Sequence, residues 1–101
     1  MNSKQKGKRG ELEAAKVLRE YGFEARRGQQ YKGGADSPDV VGMDGIHIEV
    51  KRTEALRLYD ALAQSKRDSA ENETPIVLHR KNGERWVVIM ELDAFIKMYG
   101  R

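Results

Sequence analysis

The sequence predicts one α/β domain, a central mixed sheet flanked by helices in the order α-β-β-β-α-β-β-α. Three observations carry this. Residues 46–51 alternate strictly, with Ile46, Ile48 and Val50 on one side and His47, Glu49 and Lys51 on the other, which is the period of a strand. Apolar residues recur with helical spacing in 7–21 and again in 92–99. Asn82-Gly83 falls between two runs rich in β-branched residues and marks a hairpin. With 101 residues the chain is one domain's worth, 1–101, and helices interleaved with strands pack as layers on a sheet.

The elements follow in order. Residues 1–6 read as a basic tail free to fray. A helix is expected from Gly7 to Tyr21, closed by Gly22. Ala14, Val17, Leu18 and Tyr21 share one of its faces, and Glu11 projects into the middle of that face. Residues 23–27 form a short strand, and the glycine-rich 28–37 form a loop. Pro38 opens a strand, Pro38-Asp39-Val40-Val41, which Gly42 to Gly45 turn back into residues 46–51. That hairpin is expected to bury one face and leave the other polar. Thr53 is the expected N-cap of a helix to Ser69, with its buried stripe near Ala55, Tyr59, Leu62 and Ala63, and Arg57, Gln64, Arg67 and Asp68 on its polar side. Residues 76–79 and 86–90 are the strands of the Asn82-Gly83 hairpin. A last short helix aligns Leu92, Phe95, Ile96 and Tyr99.

Composition narrows the function. The net charge is +3, but residues 1–34 hold nine Lys or Arg against four acids, and 35–101 hold ten against twelve. Lys4, Lys6, Lys8 and Arg9 come before the first acid, a distribution that suits either a polyanionic partner or a solubilising tail. There is no cysteine, which excludes disulfides, thiolate metal sites and cysteine nucleophiles. No apolar run approaches the roughly 18–20 residues of a membrane span, and no apolar stretch follows the basic start. A cytoplasmic globular protein without membrane contact is expected.

Three carboxylates stand in unusual places. Glu11 lies on an apolar helix face. Asp39 lies in a strand-like run, where Asp is disfavoured. Glu49 is two residues from Lys51, so both side chains leave one face of a strand. Singly, each has an ordinary explanation: a carboxylate met by a backbone N–H, turn chemistry after a proline, a solvated strand face. Brought together, buried like charges repel, and a divalent cation relieves that. Mg²⁺ takes one or two carboxylates with waters, and a neighbouring lysine stabilises charge developing on a phosphate.

The set Glu11, Ser37-Pro38-Asp39 and Glu49-Val50-Lys51 resembles the signature of the PD-(D/E)XK nucleases. Within them the chain is most similar to the small archaeal-type Holliday junction resolvases and their phage-borne relatives. The shared features are Lys8-Arg9-Gly10-Glu11 on the first helix, the glycine-rich loop before Pro38-Asp39, and Glu49-Val50-Lys51-Arg52 after the turn. The resemblance implies a restriction-endonuclease-like core and an Mg²⁺-dependent endonuclease that also accepts Mn²⁺. It implies Asp39 and Glu49 as metal-binding carboxylates, the Val50 carbonyl as a further ligand, Lys51 as the catalytic lysine, and Glu11 completing the cluster. Gln64 matches, more loosely, a glutamine on the helix after the E-x-K strand; a solvated glutamine is the alternative.

The basic residues Lys4, Lys6, Lys8, Arg9, Arg26, Arg27, Lys32 and Arg52 then become candidate phosphate contacts, which position a backbone without reading bases. Tyr31 is suited to stack on an unpaired base or to pack on the domain. His47 and His79 read as ordinary structural histidines, since no zinc-ligand spacing surrounds them, and Trp86 as core or interface. The implied substrate is branched DNA, first a four-way junction, cut by a homodimer that makes two symmetric nicks. The competing readings are a flap, nick or fork nuclease of a phage, which would act in the host cytoplasm, a nucleic-acid-binding module without catalysis, and a protein-interaction domain.

Overall fold

The computed structural model describes residues 3–28 and 37–100. Its elements run α1 (Ser3–Glu20), β1 (Arg26–Arg27), β2 (Val40–Val41), β3 (Ile46–Arg52), α2 (Leu58–Asp68), β4 (Thr74–Arg80), β5 (Val87–Ile89) and α3 (Leu92–Tyr99), the expected order. The five strands form one sheet ordered β1-β2-β3-β4-β5. Only β3 and β4 are parallel, in register from Ile46 opposite Thr74 to Arg52 opposite Arg80. The other neighbours are antiparallel, so the sheet is mixed.

Each long helix covers one sheet face. The α1 side holds Ala14, Ala15, Val40, Ile48, Ile76 and Leu78. On the other side Ala61 and Leu62 of α2 meet Val77. The even residues of β3 therefore face α1 and the odd ones face α2, as the period of two requires. α1 comes very close to the sheet: a Cβ at Gly10 would lie 2.6 Å from the Arg52 Cβ.

Several expectations change. α1 begins at Ser3, ahead of Gly7, so Lys4 and Lys6 lie on a helix and not on a tail. Tyr21 follows the helix end and is 72% exposed. The polar face of the β2–β3 hairpin is not solvated: His47 and Glu49 are 0% and 2% exposed because α2 lies over them. α2 starts at Leu58 and not after Thr53. The Thr53 N–H donates to the Arg80 carbonyl at 3.2 Å and extends the parallel ladder, so the chain is still extended where a cap was expected. The buried face of α2 is Ala61, Leu62 and Ser65, while Tyr59 is 82% exposed. α3 forms where expected but buries none of its residues, and Leu92, Phe95, Ile96 and Tyr99 all stand open. Trp86 packs half-buried against the α1-side core. Among the described residues no helix is long and apolar enough to cross a membrane.

Candidate active site

Asp39 is held by three strands at once. Its N–H donates to the Ile48 carbonyl of β3 at 2.9 Å, and its own carbonyl accepts from Gly28, next to β1, at 2.8 Å. Its carboxylate Oδ2 accepts the Val50 N–H at 2.8 Å. Gly28 is needed for this approach, because a Cβ there would run into the Pro38 carbonyl oxygen. The proline keeps the entering chain extended, and β2 is only two residues long. β2 pairs with β3 at Val40 and Ile48, which leaves the next stretch of that β3 edge without a strand partner among the described residues. The Val50 N–H and carbonyl both point to this edge, since the two groups of one strand residue lie on the same side.

Glu49 and Glu11 converge on Asp39. Burial pushes the Glu49 carboxyl up to about 9, and Asp39 adds to the shift by charge and hydrogen bonding. Asp68 of α2 raises it further, while Lys51 on the same face of β3 opposes the rise. Glu11 reaches the cluster from α1. Its carboxyl is raised first by burial and then by Asp39, and Arg27 acts against both. The Arg27 Nε donates to Glu11 Oε1 at 2.6 Å, with the Glu11 side chain 12% exposed. Lys51 is half-buried, and Gln64 is half-buried on α2 next to Ser65 and one turn ahead of Asp68.

The donor chemistry fits a divalent cation. Burial and the neighbouring Asp39 raise the proton affinity of both Glu11 and Glu49, and one cationic side chain, Lys51, stands on the strand beside them. Among the described residues no three His, Asp or Glu side chains form a ready metal-ligand set. What fits is a smaller protein share, Asp39 and Glu49 with the Val50 carbonyl, the kind of partial shell that Mg²⁺ completes with water and phosphate.

The basic residues divide into two groups. Lys6, Lys8 and Arg9 lie exposed on α1, Lys4 is on its first turn, and Arg26 is exposed on β1. Arg27 is committed to Glu11. Arg52 is committed to Glu13 at 3.2 Å and to Asn82 at 3.0 Å, in a cluster that Arg80 joins through Glu13 at 2.8 Å. Both guanidiniums thus carry internal contacts that the sequence does not announce. Tyr31, Lys32 and the Gly33-Gly34 loop lie outside the described residues. His79 stands 3.0 Å from the Thr53 carbonyl. Sequence reasoning misses His47, whose Nε2 is 2.9 Å from Glu49 Oε1, and Asp68, which faces Glu49. The signals for them are His47 two residues before Glu49 on one strand face, and Asp68 four residues after Gln64 on one helix face.

A mixed sheet with a helix-borne Glu, a Pro-Asp entering one strand and an E-x-K on the next defines a nuclease of the PD-(D/E)XK class. The family model of the archaeal Holliday junction resolvase (Hjc) matches residues 2–95. Among solved structures, Hjc of Archaeoglobus fulgidus, described as a Holliday junction resolvase from an archaeal hyperthermophile, superimposes with a TM-score of 0.61 at 26% identity, covering 84% of this chain and 72% of that one. No curated protein matches the sequence. The chain belongs to the archaeal Holliday junction resolvase family and is an endonuclease of that kind. The family also implies use of a divalent metal.

Proposed function

We propose that this protein resolves four-way DNA junctions by hydrolysing phosphodiester bonds at a Mg²⁺ centre held by Asp39, Glu49 and the Val50 carbonyl. The observation that carries the reading is the burial of Glu49 against Asp39, with Glu11 beside them and Lys51 on the same strand face. When bound, the metal supplies a Lewis acid for the phosphate and a water of lowered pKa. The residues of the chain do the rest. The bond from Val50 fixes the Asp39 carboxylate, so it needs no reordering when substrate arrives. Glu11, steadied by Arg27, completes the acidic cluster. Lys51 offers its ammonium to the nonbridging oxygens, where negative charge grows as water attacks phosphorus. Gln64 flanks the site from α2. Lys4, Lys6, Lys8, Arg9, Arg26 and Lys32 contact phosphates along the junction arms.

The enzyme works as a homodimer in the cytoplasm. Leu92, Phe95, Ile96 and Tyr99 on α3, with Val87 and Val88 on edge strand β5, leave an apolar surface that suits a second copy. Two nicks across a symmetric junction need two sites related by a two-fold axis. Phe95→Asp is expected to convert the sedimenting species to a monomer; an unchanged dimer would place the contact elsewhere.

The test is cleavage of a synthetic four-way junction beside flap, nicked, forked and plain duplex DNA, in Mg²⁺, in Mn²⁺ and in chelator. Paired nicks in the junction that need metal support the reading. Preferential cutting of flaps or forks reassigns the substrate, and junction binding with no cutting under any metal refutes catalysis.

A further inference from the structure

His47 and Glu49 leave the same face of β3 two residues apart, and both side chains are sealed from solvent at 1% and 2% exposure. α2 makes the seal: Ser65 Oγ donates to the Ile76 carbonyl at 2.9 Å and lies 3.5 Å from the His47 carbonyl. The imidazole Nε2 is 2.9 Å from Glu49 Oε1. The other nitrogen, Nδ1, is buried without a hydrogen bond among the described residues, 3.6 Å from Glu73 Oε1. A buried polar group with an unmet atom costs free energy that an apolar residue would not, so packing alone is a poor reason for histidine here. One of its nitrogens is aimed at an acid of the site.

We propose that His47 is a positioning residue, whose Nε2–H holds Glu49 Oε1 and thereby sets the direction in which the other Glu49 oxygen meets a divalent cation. The inference rests on the metal reading of Asp39 and Glu49 above. A carboxylate that ligates a cation is ionised and only accepts hydrogen bonds, so Nε2 carries the proton. The imidazole hangs from the central strand on two torsions and is packed under α2, so its position is fixed by the sheet. Glu49 is flanked on its strand face by a fixed donor at His47 and by the cation of Lys51. The donor orients the carboxylate, and Lys51 stays available to the phosphate. Groups that hydrogen-bond a metal-ligating residue typically change metal affinity about 10- to 100-fold.

The experiment is a calorimetric titration of Mn²⁺ into the DNA-free full chain. It compares wild type with His47→Leu, His47→Asn, His47→Gln and Glu49→Gln. A glutamine amide reaches close to the place of Nε2, and an asparagine amide falls short. His47→Leu and His47→Asn are expected to bind Mn²⁺ about 10- to 100-fold more weakly. His47→Gln should return close to wild type, and the Mn²⁺ concentration for half-maximal single-turnover cleavage should follow the same order. Wild-type affinity in His47→Asn, or His47→Gln no better than His47→Asn, overturns the proposal; this pair decides even if His47→Leu does not fold. Glu49→Gln separates the two ideas. If it binds Mn²⁺ as wild type does, the metal reading fails and the role of His47 with it. If it loses binding while His47→Asn keeps it, the role of His47 alone falls.

Discussion

Replacing Glu49 with glutamine should abolish cleavage and yet stabilise the metal-free protein at alkaline pH. The carboxyl is 2% exposed, lies against Asp39, and has its pKa pushed up to about 9 by burial first and Asp39 second. In the unfolded chain it titrates near 4.5. Between these values the native state holds a proton that the unfolded state has released. Stability from this group is therefore full below the unfolded pKa and is lost as pH rises toward the folded one. The slope is about 1.4 kcal/mol per pH unit, so from pH 5.5 to 7.5 the wild type should lose about 3 kcal/mol through Glu49 alone. Glu49→Gln has no proton to lose, so it should become the more stable of the two as pH rises. The assay is urea unfolding of both proteins in chelator at half-unit pH steps, taking the difference so that shared titrations cancel. Mn²⁺ should reverse the order by stabilising only the wild type, since ligand binding to the native state adds RT ln(1 + [L]/Kd). A difference that stays flat with pH would refute the buried-carboxylate reasoning.

Lys51→Ala should slow single-turnover cleavage by about 10²-fold, by analogy with loss of one transition-state donor, while Mn²⁺ binding by calorimetry survives. A wild-type rate would remove Lys51 from the chemistry. Neutralising Lys4, Lys6, Lys8 and Arg9 should flatten the log–log salt dependence of junction affinity by about 0.9 for each phosphate that is no longer neutralised, measured by fluorescence anisotropy at several salt concentrations. Gly10→Ala puts a methyl group 2.6 Å from the Arg52 Cβ and should cost about 1–3 kcal/mol in denaturant unfolding, because α1 must lift from the sheet.

Much of the architecture is legible because it rests on local periodicity. The strict alternation around Ile48, the Asn82-Gly83 turn and the helical spacing in the first and last helices each reappear as the predicted element. What escapes is the part decided by distant residues. Thr53 has the chemistry of a cap, but its N–H is taken by Arg80, far along the chain on the neighbouring strand. The alternation at His47 and Glu49 tells which face they share and not that α2 will cover it. Arg27 and Arg52 read as free cations until Glu11 and Glu13 stand beside them. The convergence of Glu11, Asp39 and Glu49 is foreseeable only from their order on helix, strand and returning strand, since no local pattern brings α1 to β3.

The bond from the Val50 amide to Asp39 makes assembly of the acidic cluster inseparable from the pairing of the short strand β2. A slip of one residue along β3 would turn the Asp39 side chain to the opposite face and leave that amide open to solvent. The Val50 amide is thus a reporter inside the molecule. Its deuterium exchange measures how often the site comes apart, separately from global unfolding, and a two-residue strand bordered by a glycine-rich segment is where such local opening begins. Any substitution that loosens Gly28 or Pro38 would disarm the enzyme by misregistry, with every acidic side chain still present and the rest of the sheet intact.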